Sequence, residues 1–143
     1  MNPGLLSETV GRVVVAIRRV FFELHGQLDW SRGPVEFTFD DGSVLLLESG
    51  ADGESLRITD NEWTDAFAGV LSRENAGFVE RSGKWTAVDV SGEAPTASLV
   101  GARIGSVAQI LTTTGGVAGL VLQIGDRQVR VEVIADDLYV EVA

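Results

Sequence analysis

The sequence has no cysteine, one histidine, one lysine and three prolines among its 143 residues. Without cysteine there is no disulfide, no zinc–thiolate centre and no thiol nucleophile. A single histidine excludes a multi-histidine metal site within one chain. Long apolar runs are missing too. The stretch 13–17 is closed by Arg18 and Arg19, far short of the roughly 20 residues that cross a bilayer. Glu8 and Arg12 precede that stretch, which does not fit a secretory signal, and no lipidation motif is present. A cytoplasmic protein is expected. Positive charge is also scarce: the net charge is −10, which argues against a nucleic-acid backbone as ligand.

What remains is ordinary globular material, 45% hydrophobic and 22% charged. The length suits a single domain over 1–143, large enough to bury a core without staples. Ten arginines to one lysine, with abundant Gly, Ala and Val, suggest a GC-rich, bacterial coding sequence. The charge is uneven. Residues 23–65 hold eleven acids against Arg32 and Arg57, whereas residues 1–22 are net basic. Such a field repels phosphates and attracts cationic surfaces over about 8 Å at physiological salt.

Two stretches, 10–58 and 100–140, read alike and suggest an internal duplication, joined by residues 59–98. Val10-Gly11 with Val14, Ile17 and Val20 matches Val100-Gly101 with Ile104, Val107 and Ile110. Val35, Phe37 and Phe39 match Leu120, Leu122 and Ile124; Val44 and Leu46 are set against Val129 and Val131. Ala51-Asp52 matches Ala135-Asp136, and Leu56 and Ile58 match Leu138 and Val140. Alternation at every second residue predicts strands, with hairpins at Asp40-Asp41-Gly42 and Gly125-Asp126. The three-residue spacing of 10–22 allows a helix, which would give a split α+β layer, while its β-branched and aromatic content favours a strand, bulged in places. Thr59 followed by Glu62, then Trp63, Ala66, Phe67, Val70 and Leu71 on one stripe, predicts a helix near 60–74. Ala76-Gly77 would close that helix, and 78–81 with 85–90 would form a third hairpin around Ser82-Gly83-Lys84. The fold class expected is mainly β, a β-rich α+β arrangement. It would be an antiparallel barrel, roll or small sandwich of two related halves, with one helix between them.

Catalytic motifs are absent. Lys84 follows Gly83 but precedes Trp85, so no P-loop exists, and no Gly-x-Ser-x-Gly elbow accompanies His25. His25 is expected as a surface residue at a strand end. The carboxylate pairs Asp40/Asp41, Asp52/Glu54, Asp60/Glu62 and Asp136/Asp137 lie in or beside turns, where water keeps them charged, and none fits a calcium loop. No catalytic residue, metal or cofactor is assigned. Trp63 and Trp85 are expected in the core, and Trp30 in a loop.

The run Leu99-Val100-Gly101-Ala102-Arg103-Ile104-Gly105-Ser106-Val107, followed by the apolar strand from Leu120, resembles the opening of PRC-barrel domains. The resemblance implies a small β-barrel and a role in protein–protein contact. It carries no functional residue, and the first copy has Val15 where the second has Gly105.

These observations favour a non-enzymatic protein-binding domain with an acidic face, of which an immunity- or inhibitor-type protein is the sharpest form. The expected partner is a protein with a basic surface, not nucleic acid or membrane; a homodimer is also open. Candidate binding residues are Trp30, Asp40, Asp41, Asp52, Glu54, Asp60 and Glu62. The alternative is a small-ligand binder or enzyme with a pocket between the halves.

Overall fold

Strand-forming alternation governs nearly the whole chain, and the residues that alternate inward are those that make the core. The computed structural model describes residues 3–69 and 71–143. A short helix α1 (Pro3–Thr9) leads into strands β1 (Val14–Leu24), β2 (Gln27–Leu28), β3 (Val35–Phe39), β4 (Val44–Ser49) and β5 (Leu56–Thr59). Helix α2 (Arg73–Ser82) and strand β6 (Lys84–Asp89) follow, then a 3-10 turn (Thr96–Leu99). Strands β7 (Ile104–Leu111), β8 (Val117–Ile124), β9 (Arg127–Ile134) and β10 (Asp137–Val142) complete the chain.

The first sheet runs β2-β1-β3-β4-β5, with β6 also paired to β1; the second is the meander β10-β9-β8-β7. All pairings are antiparallel. The sheets end at open edges and do not close into a barrel, so the architecture is a roll or sandwich. The barrel implied by the PRC resemblance is therefore not formed. Ile17, Phe37, Leu45 and Leu47 of the first sheet share one core with Leu120, Leu122, Val129 and Val131 of the second. Each such side chain contributes about 1.5–3 kcal/mol by leaving water.

The sheets are joined where their first strands begin. Gly11 donates to Ile104 O and Gly101 to Val14 O, both at 2.7 Å. Val14 donates to Ala102 O and Ile104 to Arg12 O, both at 2.9 Å. Each bond becomes its partner when positions ninety apart are exchanged, and a single bridge, Val13 to Arg103, lies at the centre. Gly11 and Gly101 share a left-handed φ, 94° and 87°. Register shifts fall at Val14/Ala16 and Ile104/Ser106. Val15 and Gly105, where the two runs differ in residue type, therefore occupy the same bulge. The register of the next strands differs from the sequence match. Leu45 and Leu47, not Val44 and Leu46, take the core positions of Val129 and Val131. The β3–β4 turn holds three residues, since Phe39 donates to Ser43 O, whereas Ile124 faces Arg127 across two.

The helix expected over 60–74 does not form. Thr59 is claimed by β5, opposite Leu46. Trp63 N–H donates to Glu36 and Phe67 N–H to Asp65, so carboxylates take donors a helix would have used internally. Val70 lies outside the described residues. Residues 60–69 instead form a strap over the outer face of the first sheet. The helix lies further on: Ser72 caps α2 by accepting from Asn75 N–H, and Gly83, with φ 76°, ends it by donating to Val79 O. Residues 78–81 are thus helical, not one arm of a hairpin, and β6 pairs with β1.

Candidate functional site

The acidic residues singled out in the sequence sit at two ends of the β3–β4–β5 meander. Asp40 and Asp41 lie in the β3–β4 turn, Asp52 and Glu54 in the β4–β5 turn, all exposed. The six residues of β4 separate the turns by about 20 Å at a strand's rise. Asp60 and Glu62 are exposed on the strap. They do not form one face.

Most of these carboxylates also have local structural work. Asp41 accepts from Ser43 N–H and hydroxyl, and Arg12 approaches it at 3.4 Å. Asp52 accepts from Ser55 N–H at 2.8 Å, Ser55 hydroxyl at 2.7 Å and Glu54 N–H at 3.0 Å, which hold its carboxyl down at about 2. Asp29 with Ser31 and Asp89 with Ser91 repeat this Asp-to-Ser turn. Glu62 lies 3.6 Å from Arg18.

Trp30 is 58% exposed, in the loop 29–34 between β2 and β3. Its ring tilts against Phe21 at 4.9 Å. Arg19 secures this loop from below, donating to Gly33 O at 3.0 Å and Pro34 O at 3.3 Å while lying over the Phe21 ring. Burial pushes its guanidinium down to about 10.

The loop is also tied to the second sheet, because Gly33 N–H donates to Leu138 O at 2.8 Å. A second tie joins the acidic β4–β5 turn to the β9–β10 turn: Asp136 N–H donates to Gly53 O at 3.0 Å. Between these ties and the strap lies a cleft of about 400 Å³. Its apolar walls include Val20, Pro34, Trp63, Phe67, Trp85 and Leu138. Its carboxylates are Glu48, Asp65, Asp136 and Asp137. Trp63 is half-buried and Trp85 is 42% exposed, so neither belongs to the core as the sequence suggested. Trp85 packs instead edge-on to Phe22 at 5.5 Å.

Two of the four carboxylates are already met by the chain's own cations. Lys84 Nζ lies 2.9 Å from Asp65, which lowers the Asp65 pKa, and Arg32 lies 3.2 Å from Asp137. Among the described residues Glu48 has only Arg57, at 4.0 Å, and Asp136 has no ion pair. The cleft thus joins indole surface to carboxylates without a close cation of their own, an arrangement suited to an organic cation.

The strap wall is held by a half-buried network. Glu36, 2% exposed, accepts Arg18 Nε at 2.7 Å and Nη2 at 2.8 Å, and also Trp63 N–H at 2.8 Å. Arg18 Nη2 donates to Trp63 O at 3.0 Å. Sequence alone marks Glu36 as an ordinary outward position between Val35 and Phe37, so this role carried no signal. For Asp136 a signal existed: its match to Asp52 placed both in like turns, and those turns meet here.

His25 sits in the β1–β2 turn with φ 51°, exposed, and donates from Nε2 to Glu80 O at 2.8 Å. It does not line the cleft. Among the described residues no group of three or more His, Asp or Glu is placed to hold a metal ion, and no helix is long and apolar enough to cross a membrane. Compared with protein-family models, curated proteins and solved structures, the chain matches none.

Proposed function

We propose that this chain is a non-enzymatic binding domain that captures a basic protein in the cytoplasm, and that its capture site is the cleft. One observation carries the reading. The Asp136–Gly53 hydrogen bond brings acidic turns from two sheets together beside a cleft walled by Trp63 and Trp85. The exchange-related bonds around Val13 and Arg103 support an internal duplication, with the cleft between its halves. The net charge of −10 would steer a basic partner and repel acidic ones. Inhibition of a basic enzyme, as by an immunity protein, is the finest form of this reading. Of the residues picked from sequence, Trp30, Asp52 and Glu54 lie on loops tied to the cleft, whereas Asp40 and Asp41 lie at the far end.

The test compares two charge-neutralised pairs by affinity capture and mass spectrometry. Glu48→Gln with Asp136→Asn should lose the captured protein; Asp40→Asn with Asp41→Asn should keep it. The purified partner should then show the same order in direct titration. Loss by the far-end pair alone would move the site away from the cleft. If neither wild type nor variants retain a protein, the second reading applies, a small-ligand binder using the same cleft.

A further inference from the structure

We propose that the cleft recognises a guanidinium group, presented as an arginine side chain of the partner. This rests on the reading of the cleft as the capture site and adds the chemistry it selects. Four features of the cleft converge on it. Its volume of about 400 Å³ accommodates one long side chain and its flanking backbone. Its walls offer indole surface from Trp63 and Trp85, and a guanidinium is weakly hydrated, planar and stacks on such surface, whereas an ammonium holds its water more tightly. Its carboxylates are forked acceptors of the kind a guanidinium meets with two parallel bonds. Finally, the chain's own cations leave Glu48 and Asp136 the least compensated, with Arg57 no nearer than 4.0 Å to Glu48.

The protein already contains the recognition mode in closed form. At Glu36 a carboxylate takes Arg18 through Nε and Nη2 at 2.7 and 2.8 Å, beside the Trp63 backbone. The cleft sets Glu48 and Asp136 beside Trp63 and Trp85, with the cation left for a partner to supply. Asp136 suits the role because its turn is fixed by the bond to Gly53 O, so little ordering remains when a cation arrives.

The experiment titrates the intact chain with three blocked tripeptides, acetyl-Gly-Xaa-Gly-amide with arginine, lysine or citrulline at the centre. Intrinsic tryptophan fluorescence and calorimetry provide the readouts. The arginine peptide should bind with a Kd of about 1 mM or tighter. Citrulline, which keeps the shape and loses the charge, should bind at least about tenfold more weakly, and lysine at least about threefold. Glu48→Gln with Asp136→Asn, checked for folding by circular dichroism, should weaken the arginine peptide about tenfold while leaving citrulline unchanged. Equal binding of arginine and citrulline, tighter binding of lysine, or no binding of any peptide would overturn the proposal. If the peptides fail but the cleft variants still release the captured protein, only the guanidinium assignment falls. If the arginine peptide binds and those variants retain the protein, the ligand chemistry stands and the capture reading falls.

Discussion

Arg18 and Glu36 stand directly opposite each other across the β1–β3 ladder, and the carboxylate takes two bonds from the guanidinium at 2.7 and 2.8 Å. Both face away from the shared core, where a charged pair would ordinarily be solvated. Here the strap lies over them. Trp63 donates to Glu36 and accepts from Arg18, so the pair is at once a cross-strand contact and the anchor of a cleft wall.

Removing that anchor should loosen the wall before it unfolds the sheet. Glu36→Ala leaves Arg18 and the Trp63 N–H without their acceptor, at a cost of about 2–3 kcal/mol in urea unfolding. Glu36→Gln should cost less, because one oxygen remains. In both, the Trp63 amide should exchange with solvent faster than the core amides of β8. A loss of stability below about 0.5 kcal/mol for the alanine variant would show that the strap is held by other contacts.

Glycine at 33 is required for two reasons at once. Its φ is 141°, and a Cβ there would lie 1.8 Å from Val20 O. Gly42 has a similar left-handed demand, φ 83°, with nothing within 4 Å. Gly33→Ala should therefore cost about 3 kcal/mol or more and disturb the cleft, while Gly42→Ala costs about 1–2 kcal/mol from backbone strain alone. Thermal unfolding of the two variants side by side decides it; equal losses would mean the backbone near Val20 yields freely.

The matched glycines at the sheet junction should behave as a pair. Gly11→Ala and Gly101→Ala meet no atoms within 4 Å, and both carry φ near 90°. Each should lose about 1–2 kcal/mol, within error of the other. A large difference between them would mean that the exchange-related hydrogen bonds hide unequal energetics.

Acid should weaken the fold through its turn aspartates. Hydrogen bonds from Ser55 and Glu54 hold Asp52 at about 2 in the folded chain, and Ser hydroxyl and amide donors lower Asp29, Asp41 and Asp89. An unfolded aspartate titrates at about 3.9. The folded chain thus binds fewer protons, so this stabilisation is complete above about pH 5 and disappears as pH falls towards 2. Asp52→Asn keeps an acceptor but cannot titrate. The urea midpoint measured from pH 5 to pH 2 should fall less steeply in that variant; an unchanged slope would remove Asp52 from the account.

The sequence by itself determined most of the strands and their inner faces, but not those of β4, where Leu45 and Leu47 rather than Val44 and Leu46 join the shared core. Alternating runs such as Val35, Phe37, Phe39 and Leu120, Leu122, Ile124 can bury one face only as strands, and glycine at left-handed turns set the hairpins. The β-branched and aromatic content of 10–22 favoured the strand that forms as β1 over the helix its spacing also allowed. Only the tertiary structure decided the strap, the place of the helix and the cleft. The stripe of Trp63 and Phe67 satisfies a helical period, but the backbone donors of 63 and 67 found carboxylates at Glu36 and Asp65 instead. Glu36 is distant in sequence, so no local pattern could announce it. The acidic residues were visible as a composition, yet their division between two ends of a meander, and the meeting of Gly53 with Asp136, depend on strand order. Periodicity encodes which way a side chain faces; which turns meet in space is set by how whole sheets pack.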